Sequence, residues 1–363
     1  MPGPSIINFV DVTVVLDGAT TATATDFGRV MICASHSVTA ARQEGPFASL
    51  KEAEDAGFTA AATPTIHDMI TAVFSQSVGV RRVWVGRRDA GDTDFADALA
   101  AIDADPASDD WYLTLLDATD AADATDQLSA ATWAESQQQT KRVIICSSDT
   151  AIPDGTPGNI AESVQSAAYR QTSVIFASST NIAAGERVDA AWTSYCGGFK
   201  LDSPGGAGAW SEVQLAGVSP EPLTSAQFDQ IRAYDATAYG QVRGLPFVGI
   251  ARTGAGTAIE DQVTQDWARA RLEERLLTTL VTTYPKVPYT SGGINLLATT
   301  AQGVLDLGVT AGHFSPDFPA RVIAPDIVDV QPADKVNKLL RLQAEATLAG
   351  SIEKVEIVLN LEL

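Results

Sequence analysis

The sequence predicts an α/β protein (α+β overall) in which a layered α/β region lies between strands at the two ends of the chain. Two patterns predict it. Short apolar runs alternate with helical segments between about residues 27 and 200, and period-two alternation marks both termini. Alternating strands and helices indicate a largely parallel sheet covered by helices. With 363 residues, of which 45% are hydrophobic, two domains with their own cores are expected.

The first predicted strand covers residues 6–16. Four apolar side chains share one face of this extended segment: Val10, Val12, Val14 and Leu16. The pair Asp17-Gly18 then favours a turn. The small and polar stretch 19–25 is predicted to be a linker or an extended arm.

The layered region is predicted to contain five strands and six helices. The strands are expected at 29–34, 83–85, 111–116, 142–146 and 173–177, and the helices at 49–57, 64–78, 92–103, 121–139, 157–170 and 186–195. Ser49 and Glu52 have the spacing of a capping box, and Pro64 suits the first turn of a helix.

The net charge of −21 limits the classes of partner. Phosphate backbones and anionic membrane surfaces attract basic proteins, so direct nucleic-acid binding and membrane binding are not expected. Residues 89–140 contain 13 acidic and no basic residues, and are predicted to face solvent because clustered carboxylates repel one another. The alternative is a metal site formed by Asp103, Asp105, Asp109 and Asp110. These four residues lack the EF-hand pattern.

The second half begins after a Gly-rich loop at 203–209. Helices are predicted at 225–234, 261–281, 294–307 and 334–343, and strands at 246–251, 322–323 and 327–330. Asp261 is predicted to be the N-cap of the longest helix. On that helix Arg269 and Arg271 are predicted to be surface partners of nearby glutamates.

The C-terminal segment 352–363 alternates with period two up to its last residue. Five apolar side chains form one face: Val355, Ile357, Leu359, Leu361 and Leu363. Chain ends fray unless they are held, so this strand is expected to join a sheet. The sheet is either that of its own domain or that of a neighbouring subunit.

No catalytic constellation is found in the sequence. His36, His67 and His313 do not have metal-ligand spacing, and there is no nucleophile elbow or Walker A lysine. The loop Gly254-Ala255-Gly256 begins like a dinucleotide fingerprint, but Ile259 stands where the third glycine is needed. The three cysteines are predicted to be buried thiols. We therefore predict no catalytic residue, no cofactor and no metal.

Residues 247–363 carry a family resemblance. The motifs are Gly249, 251–254, 259–261, Asp266-Trp267, Arg271-Leu272, Arg275-Leu276, 286–290 and Gly293-Ile294, followed by 333–335 and 348–355. In this order they resemble the C-terminal half of contractile phage tail sheath proteins. The resemblance is loose over 23–200.

This resemblance implies an outer α/β domain and an inner, tube-proximal domain whose sheet is completed by exchanged terminal arms. The boundaries expected are 1–22 for the N-terminal arm, 23–202 for the outer domain, 203–349 for the inner domain and 350–363 for the C-terminal arm. Basic side chains are predicted to face the tube: Lys335, Lys338, Arg341, Arg269 and Arg271. Lys335 and Lys338 stand where arginine is frequent in the family.

The implied function is structural. Subunits would form hexameric rings stacked around a tail tube and would contract to drive the tube through the host envelope, as part of a virion tail assembled in the host cytoplasm. The implied partners are copies of the chain, the tail tube protein, and baseplate and tail terminator proteins. Two alternatives stay open: the sheath of a bacterial contractile injection system, and an α/β enzyme of unknown substrate.

Overall fold

The computed structural model describes residues 25–137, 140–283 and 285–351. The predicted terminal strands, and with them the nine side chains assigned to strand arms, lie outside the described residues. The linker predicted at 19–25 is described only at Thr25.

One large mixed sheet organises the described chain. Its strands are β1 Val30–Ser35, β2 Gln43–Phe47, β3 Val83–Arg88, β4 Leu113–Leu116, β5 Arg142–Ser147, β6 Thr172–Phe176, β7 Thr237–Val242 and β8 Leu245–Val248, in the order β2-β3-β1-β4-β5-β6-β7-β8. The six inner strands run parallel, whereas β2 and β8 pair antiparallel at the two edges. A separate antiparallel pair joins β9 Arg321–Ile323 to β10 Gln343–Glu345. The predicted largely parallel sheet is confirmed.

Helices follow most of the strands. They are α1 Leu50–Asp55, α2 Pro64–Phe74, α3 Phe95–Asp103, α4 Ala124–Ser136, α5 Ala151–Asp154, α6 Ile160–Ser166, α7 Ser179–Ala183, α8 Val188–Gly197, α9 Ser225–Ala233, α10 Ile259–Thr282, α11 Ser291–Ala311 and α12 Pro332–Val336. The Ser49 hydroxyl accepts a hydrogen bond from the Glu52 amide, and Pro64 occupies the first turn of α2, as predicted.

Strand β1 shows why the core has two sides. Val30 and Ile32 pack into the cluster with α2 and α8, while Met31 and Cys33 pack into the cluster with α3 and α4. Successive side chains of a strand point to opposite faces, so a continuous apolar run requires cover on both. The sheet is therefore the middle layer of three.

The last two long helices extend the first of these cores. Trp267 of α10 and Val304 of α11 are buried in the same cluster as Trp192 of α8. Strands β7 and β8 also belong to the large sheet although they follow residue 202. The sheet is thus continuous across the boundary expected at 202/203.

Three expectations of local structure are wrong. Residues 327–330 form a turn instead of a strand, because no neighbouring strand is present there to pair with it among the described residues. The helix predicted at 334–343 ends at Val336, and Lys338 has a positive φ of 55° that breaks the helical path. Asp261 lies in the first turn of α10, whose N-cap is Ala258. Strands β2, β7 and β10 were not predicted.

No helix within the described ranges is both long and apolar enough to cross a membrane.

A buried ion pair fixes the start of α8 against the sheet. Nε and Nη2 of Arg187 donate to the Asp189 carboxylate at 3.0 and 2.7 Å, and Nη2 also donates to the Leu116 carbonyl at 2.9 Å. Both side chains are at most 2% exposed. Water therefore cannot replace either partner.

Replacing Asp189 with alanine is expected to lower the free energy of unfolding by about 3–5 kcal/mol, because it leaves the Arg187 charge buried without its partner. Denaturant unfolding of the purified protein measures this. The control is Asp229→Ala, which removes an exposed pair with Arg232 at 3.2 Å and should cost less than about 1 kcal/mol. Equal losses in the two variants would contradict the role of the buried pair.

Candidate assembly site

Helix α10 holds both ends of the described chain. The Thr25 amide donates to Oε1 of Glu274 at 2.6 Å, and the Ser351 hydroxyl donates to Oε1 of Glu260 at 2.5 Å. The two glutamates are 14 positions apart, about 21 Å along the axis at about 1.5 Å per residue. A single helix therefore binds both ends of the described chain.

Arg271 organises the N-terminal attachment. Its guanidinium donates to both carboxylate oxygens of Asp202 at 2.8 Å, to Glu274 at 2.8 and 3.1 Å, and to the Thr25 carbonyl at 3.0 Å. It also lies 5.6 Å from the centroid of the Phe27 ring. Charge-assisted, forked hydrogen bonds of this kind are among the stronger polar contacts in proteins.

The charges of this cluster favour one another. Burial works against the charged form of Arg271, but the hydrogen bonds and charge of Asp202 outweigh it, so the pKa of Arg271 is raised. The hydrogen bond from Arg271 lowers the pKa of Asp202, although partial burial opposes this. Both groups stay ionised near neutral pH.

Asp266 joins the same helix to the amino edge of the large sheet. Its carboxylate accepts hydrogen bonds from the Tyr112 hydroxyl at 2.8 Å and from the Gln171 amide at 3.2 Å, and lies 3.8 Å from the Arg142 guanidinium. Burial raises the pKa of Asp266, and the Arg142 charge opposes that shift. These partners lie before or at the starts of β4, β5 and β6, so α10 is fixed to three strands at once.

The C-terminal attachment is a short backbone ladder beside His313. The Ala349 amide donates to the His313 carbonyl at 3.0 Å, and the Ser315 amide donates to the Thr347 carbonyl at 2.8 Å. The His313 ring stacks on Trp267 at 4.3 Å and hydrogen-bonds Thr264 at 2.8 Å. Burial lowers the pKa of His313, so the ring is neutral near pH 7.

The pair β9–β10 has no further strand on either side within the described chain. It is held to α11 by Gln302, whose side chain accepts from the Val322 amide at 2.9 Å and donates to the Ala320 carbonyl at 3.0 Å. Across the pair Arg321 meets Glu345 at 2.9 Å. Two-stranded sheets are marginal by themselves and leave unpaired backbone groups at both edges.

Exposed apolar side chains concentrate in the C-terminal part of the described chain, which includes this small sheet. Of the 13 large hydrophobic side chains that are exposed in the described chain, ten lie between 277 and 348: Leu277, Leu280, Val281, Leu296, Phe318, Ile323, Val328, Val336, Leu339 and Leu348. Val336 and Val328 are 81% and 78% exposed. Such a concentration indicates an interaction surface.

The basic side chains predicted to face a tube do not form one group. Lys335, Lys338 and Arg341 are exposed but do not share a helix, and Arg341 pairs with Asp334 at 3.3 Å. Arg269 makes the predicted surface pair with Glu273 at 3.0 Å. Arg271 is not a surface residue, since its side chain is 7% exposed and pairs with Asp202 of the same chain. The assignment to a tube stays a prediction.

The acidic segment is partly neutralised by bases from outside it. Lys141 lies 3.4 Å from Asp103 and also pairs with Asp110, while Arg42 lies 2.6 Å from Asp92. Asp126 pairs with Arg88. Within the described chain no group of three or more potential ligands could hold a metal ion, including the four aspartates considered above.

The alternative of nucleotide binding at Gly254-Ala255-Gly256 finds no support in the geometry. The Gly254 amide donates to the Thr172 carbonyl at 3.0 Å and the Ala255 amide to the Tyr169 carbonyl at 3.0 Å. These amides face the protein and are not available to a phosphate. Cys33, Cys146 and Cys196 are buried free thiols, as predicted, and burial raises their pKa values.

Sequence reasoning missed Asp202 and Glu260, which hold the attachments to α10. Asp202 lies 69 residues before Arg271, in a loop without a periodic pattern, and no local signal connects them.

The structure has the fold of contractile sheath proteins. A chain of the anti-feeding prophage baseplate aligns with a TM-score of 0.66 at 13% identity, covering 97% of this chain and 99% of that one. The helical sheath of the same system in its contracted state gives 0.64 at 13% identity, covering 100% and 99%. The contracted sheath of an extracellular contractile injection system, PVC, gives 0.64 at 11%, covering 100% and 98%. At these identities the likeness establishes the fold.

No family model and no curated protein matches the sequence.

Replacing Arg271 with methionine is expected to lower the free energy of unfolding by about 1–3 kcal/mol, because Glu274 and the half-exposed Asp202 lose their buried partner. Arg269→Met, two positions away on α10, is the control and should cost no more than about 0.5 kcal/mol. Denaturant unfolding at pH 7 measures both. A loss in Arg269→Met as large as that in Arg271→Met would contradict the cluster's role.

The stability difference between the wild type and Arg271→Met should depend on pH. Because the pKa of Asp202 is depressed in the folded state, its contribution is present above the ordinary carboxyl pKa of about 3.9 and is lost as the pH falls below it. The difference in stability between wild type and Arg271→Met should therefore shrink on acidification. A difference that grows towards low pH would be inconsistent with this assignment.

Proposed function

We propose that the protein is the structural subunit of a contractile sheath. It polymerises as stacked hexameric rings around a tube, and the array shortens to drive the tube through an envelope. The observation that carries this is the alignment of the whole chain with sheath proteins over 97–100% of its own length and 98–99% of theirs. A shared domain inside an unrelated protein would not give such coverage on both sides.

The small sheet β9–β10 is the proposed acceptor for arms of neighbouring subunits. Its two edges carry unpaired backbone groups, and Ile323 of β9 is among the apolar side chains that the C-terminal part of the described chain leaves exposed. Strand addition would pair the backbone groups and cover the apolar surface in a single step.

The terminal segments supply strands that fit this acceptor. The face formed by Val355, Ile357, Leu359, Leu361 and Leu363 would gain about 1.5–3 kcal/mol per buried side chain. The face with Val10, Val12, Val14 and Leu16 suits the opposite edge. Since Thr25 and Ser351, the described residues nearest to the two arms, both bind α10, a pull on either arm would reach the body of the subunit through Arg271 and Glu260.

The proposed partners are other copies of the chain, a tube protein, and baseplate and terminator proteins. The proposed role is not enzymatic. A phage tail, assembled in the host cytoplasm, and a bacterial injection particle both fit the fold. Electron microscopy of particles from producing cells separates them, because sheaths joined to DNA-filled heads indicate a phage and headless particles indicate an injection system.

Negative-stain microscopy of the purified full-length protein tests the proposal directly. Tubes or sheath-like polymers are expected, with six-fold symmetry in end views. A uniform monomer that forms no polymer at any concentration, either alone or with its tube protein, would refute it.

Charges on the apolar face of the C-terminal strand should abolish polymers. Ile357→Asp with Leu359→Asp places two carboxylates where the proposed interface excludes water, while the subunit should still fold. The control is Glu356→Ala with Glu362→Ala on the opposite face, which should polymerise normally. Sedimentation of polymer and circular dichroism of the soluble fraction measure the two properties. Normal tubes from the aspartate variant would eliminate strand exchange at this end.

A further inference from the structure

An open groove of about 560 Å³ lies at the amino edge of the large sheet. Segments 25–29, 79–82 and 197–203 form its walls, and Arg271 of α10 closes one side. Segments 25–29 and 79–82 precede β1 and β3, which places the groove at the starts of the parallel strands. It lies next to the N-terminal attachment, whose Thr25, Asp202 and Arg271 form part of its lining.

The groove is basic in a chain whose net charge is −21. Two carboxylates, Asp26 and Asp202, and five cationic side chains line it, which leaves three positive charges in excess. The cationic side chains are Arg29, Arg81, Arg82, Lys200 and Arg271. Trp84, Phe27 and Val80 form apolar parts of the wall.

Three of the cations have no partner within the described chain. Arg271 is held by Asp202, and Arg29 lies 3.7 Å from Asp26 and donates to the Asp110 carbonyl at 3.0 Å. Arg81, Arg82 and Lys200 are exposed, and their side chains make no hydrogen bond or ion pair to any described residue. Three neighbouring cations without counter-charges create a site for an anionic group.

The carboxyl edge of the same sheet, where the parallel strands end, has a surplus of carboxylates. Asp120 and Asp123 follow β4, and Asp149 follows β5. Ser148 connects the two loops, since its amide donates to the Thr119 carbonyl at 2.8 Å and its hydroxyl to Asp120 at 3.4 Å. We call these three aspartates the carboxyl-edge cluster.

Nearby cations do not neutralise the carboxyl-edge cluster. Arg87 lies 2.6 Å from Asp89, Arg88 pairs with Asp126, and Arg42 lies 2.6 Å from Asp92. Within the described chain the cluster accepts hydrogen bonds from backbone amides and a hydroxyl but pairs with no basic side chain.

We propose that the groove binds the carboxyl-edge cluster of a second copy of this chain. Arg81, Arg82 and Lys200 pair with Asp120, Asp123 and Asp149 of that copy. The two surfaces lie at opposite ends of the same parallel strands, so the contact joins unlike faces and repeats from copy to copy. Contacts of this head-to-tail kind generate rings or helical arrays. The inference rests on the proposed sheath function, and adds to strand exchange a second, electrostatic contact between copies.

A charge swap tests the pairing. Arg81→Glu with Arg82→Glu should raise the protein concentration needed for polymer at least about ten-fold, and Asp120→Lys with Asp123→Lys should do the same. Combining the four substitutions should bring the protein concentration needed for polymer back towards the wild-type value, because the positive and negative charges then exchange places. The control, Arg232→Glu with Arg243→Glu, makes the same charge change at exposed sites outside the groove. It should leave the protein concentration needed for polymer unchanged.

Circular dichroism and thermal melting check that each variant is folded. The wild type should lose polymer as the salt concentration rises, because salt screens the charge pairs between copies. Normal polymer from the groove variants overturns the inference while the sheath proposal stands. Loss of polymer that the four-fold exchange does not restore also overturns it, because the partner is then not the carboxyl-edge cluster. Failure of the wild type to polymerise under any condition refutes the sheath proposal itself.

Discussion

The ion-pair cluster of Arg271 with Asp202 and Glu274 connects the parts of this molecule. Arg271 and Glu274 lie on α10, which also carries the Asp266 contact to the sheet and the Glu260 contact to Ser351. A buried guanidinium needs its carboxylates in place, and this requirement fixes the 197–203 loop, the helix and residue 25 relative to one another. The helix therefore connects the large sheet to both ends of the described chain.

The layered part of the fold could be predicted because its signals are local. The apolar run Val30–Ser35 and the cap at Ser49 each specify an element within a few residues. The edge strand Gln43–Phe47 could not be predicted, because it contains a proline and half-polar positions and pairs antiparallel only once β3 is present. The helix expected at 334–343 was wrong for a related reason, since periodic charges do not specify a helix without an apolar face to bury.

The candidate site shows the same division. The strand faces at the termini and the absence of a catalytic pattern are visible in the sequence, and they already favour assembly over catalysis. The contact of Asp202 with Arg271 and the open edges of β9–β10 depend on residues distant in the chain, which only the fold brings together. The sign of the charges was misleading in one respect: the predicted acidic face is partly neutralised, while a basic groove appears at the opposite edge of the sheet.

The central claim is that β9–β10 receives strands from other subunits. A helical reconstruction by cryo-electron microscopy of polymer formed from the full-length chain tests it most directly. We expect continuous density from residue 351 of one subunit to a strand paired with β9 or β10 of its neighbour, so that this pair becomes part of a larger sheet. A polymer in which this pair stays two-stranded, or in which the terminal strand pairs within its own subunit, would contradict the account.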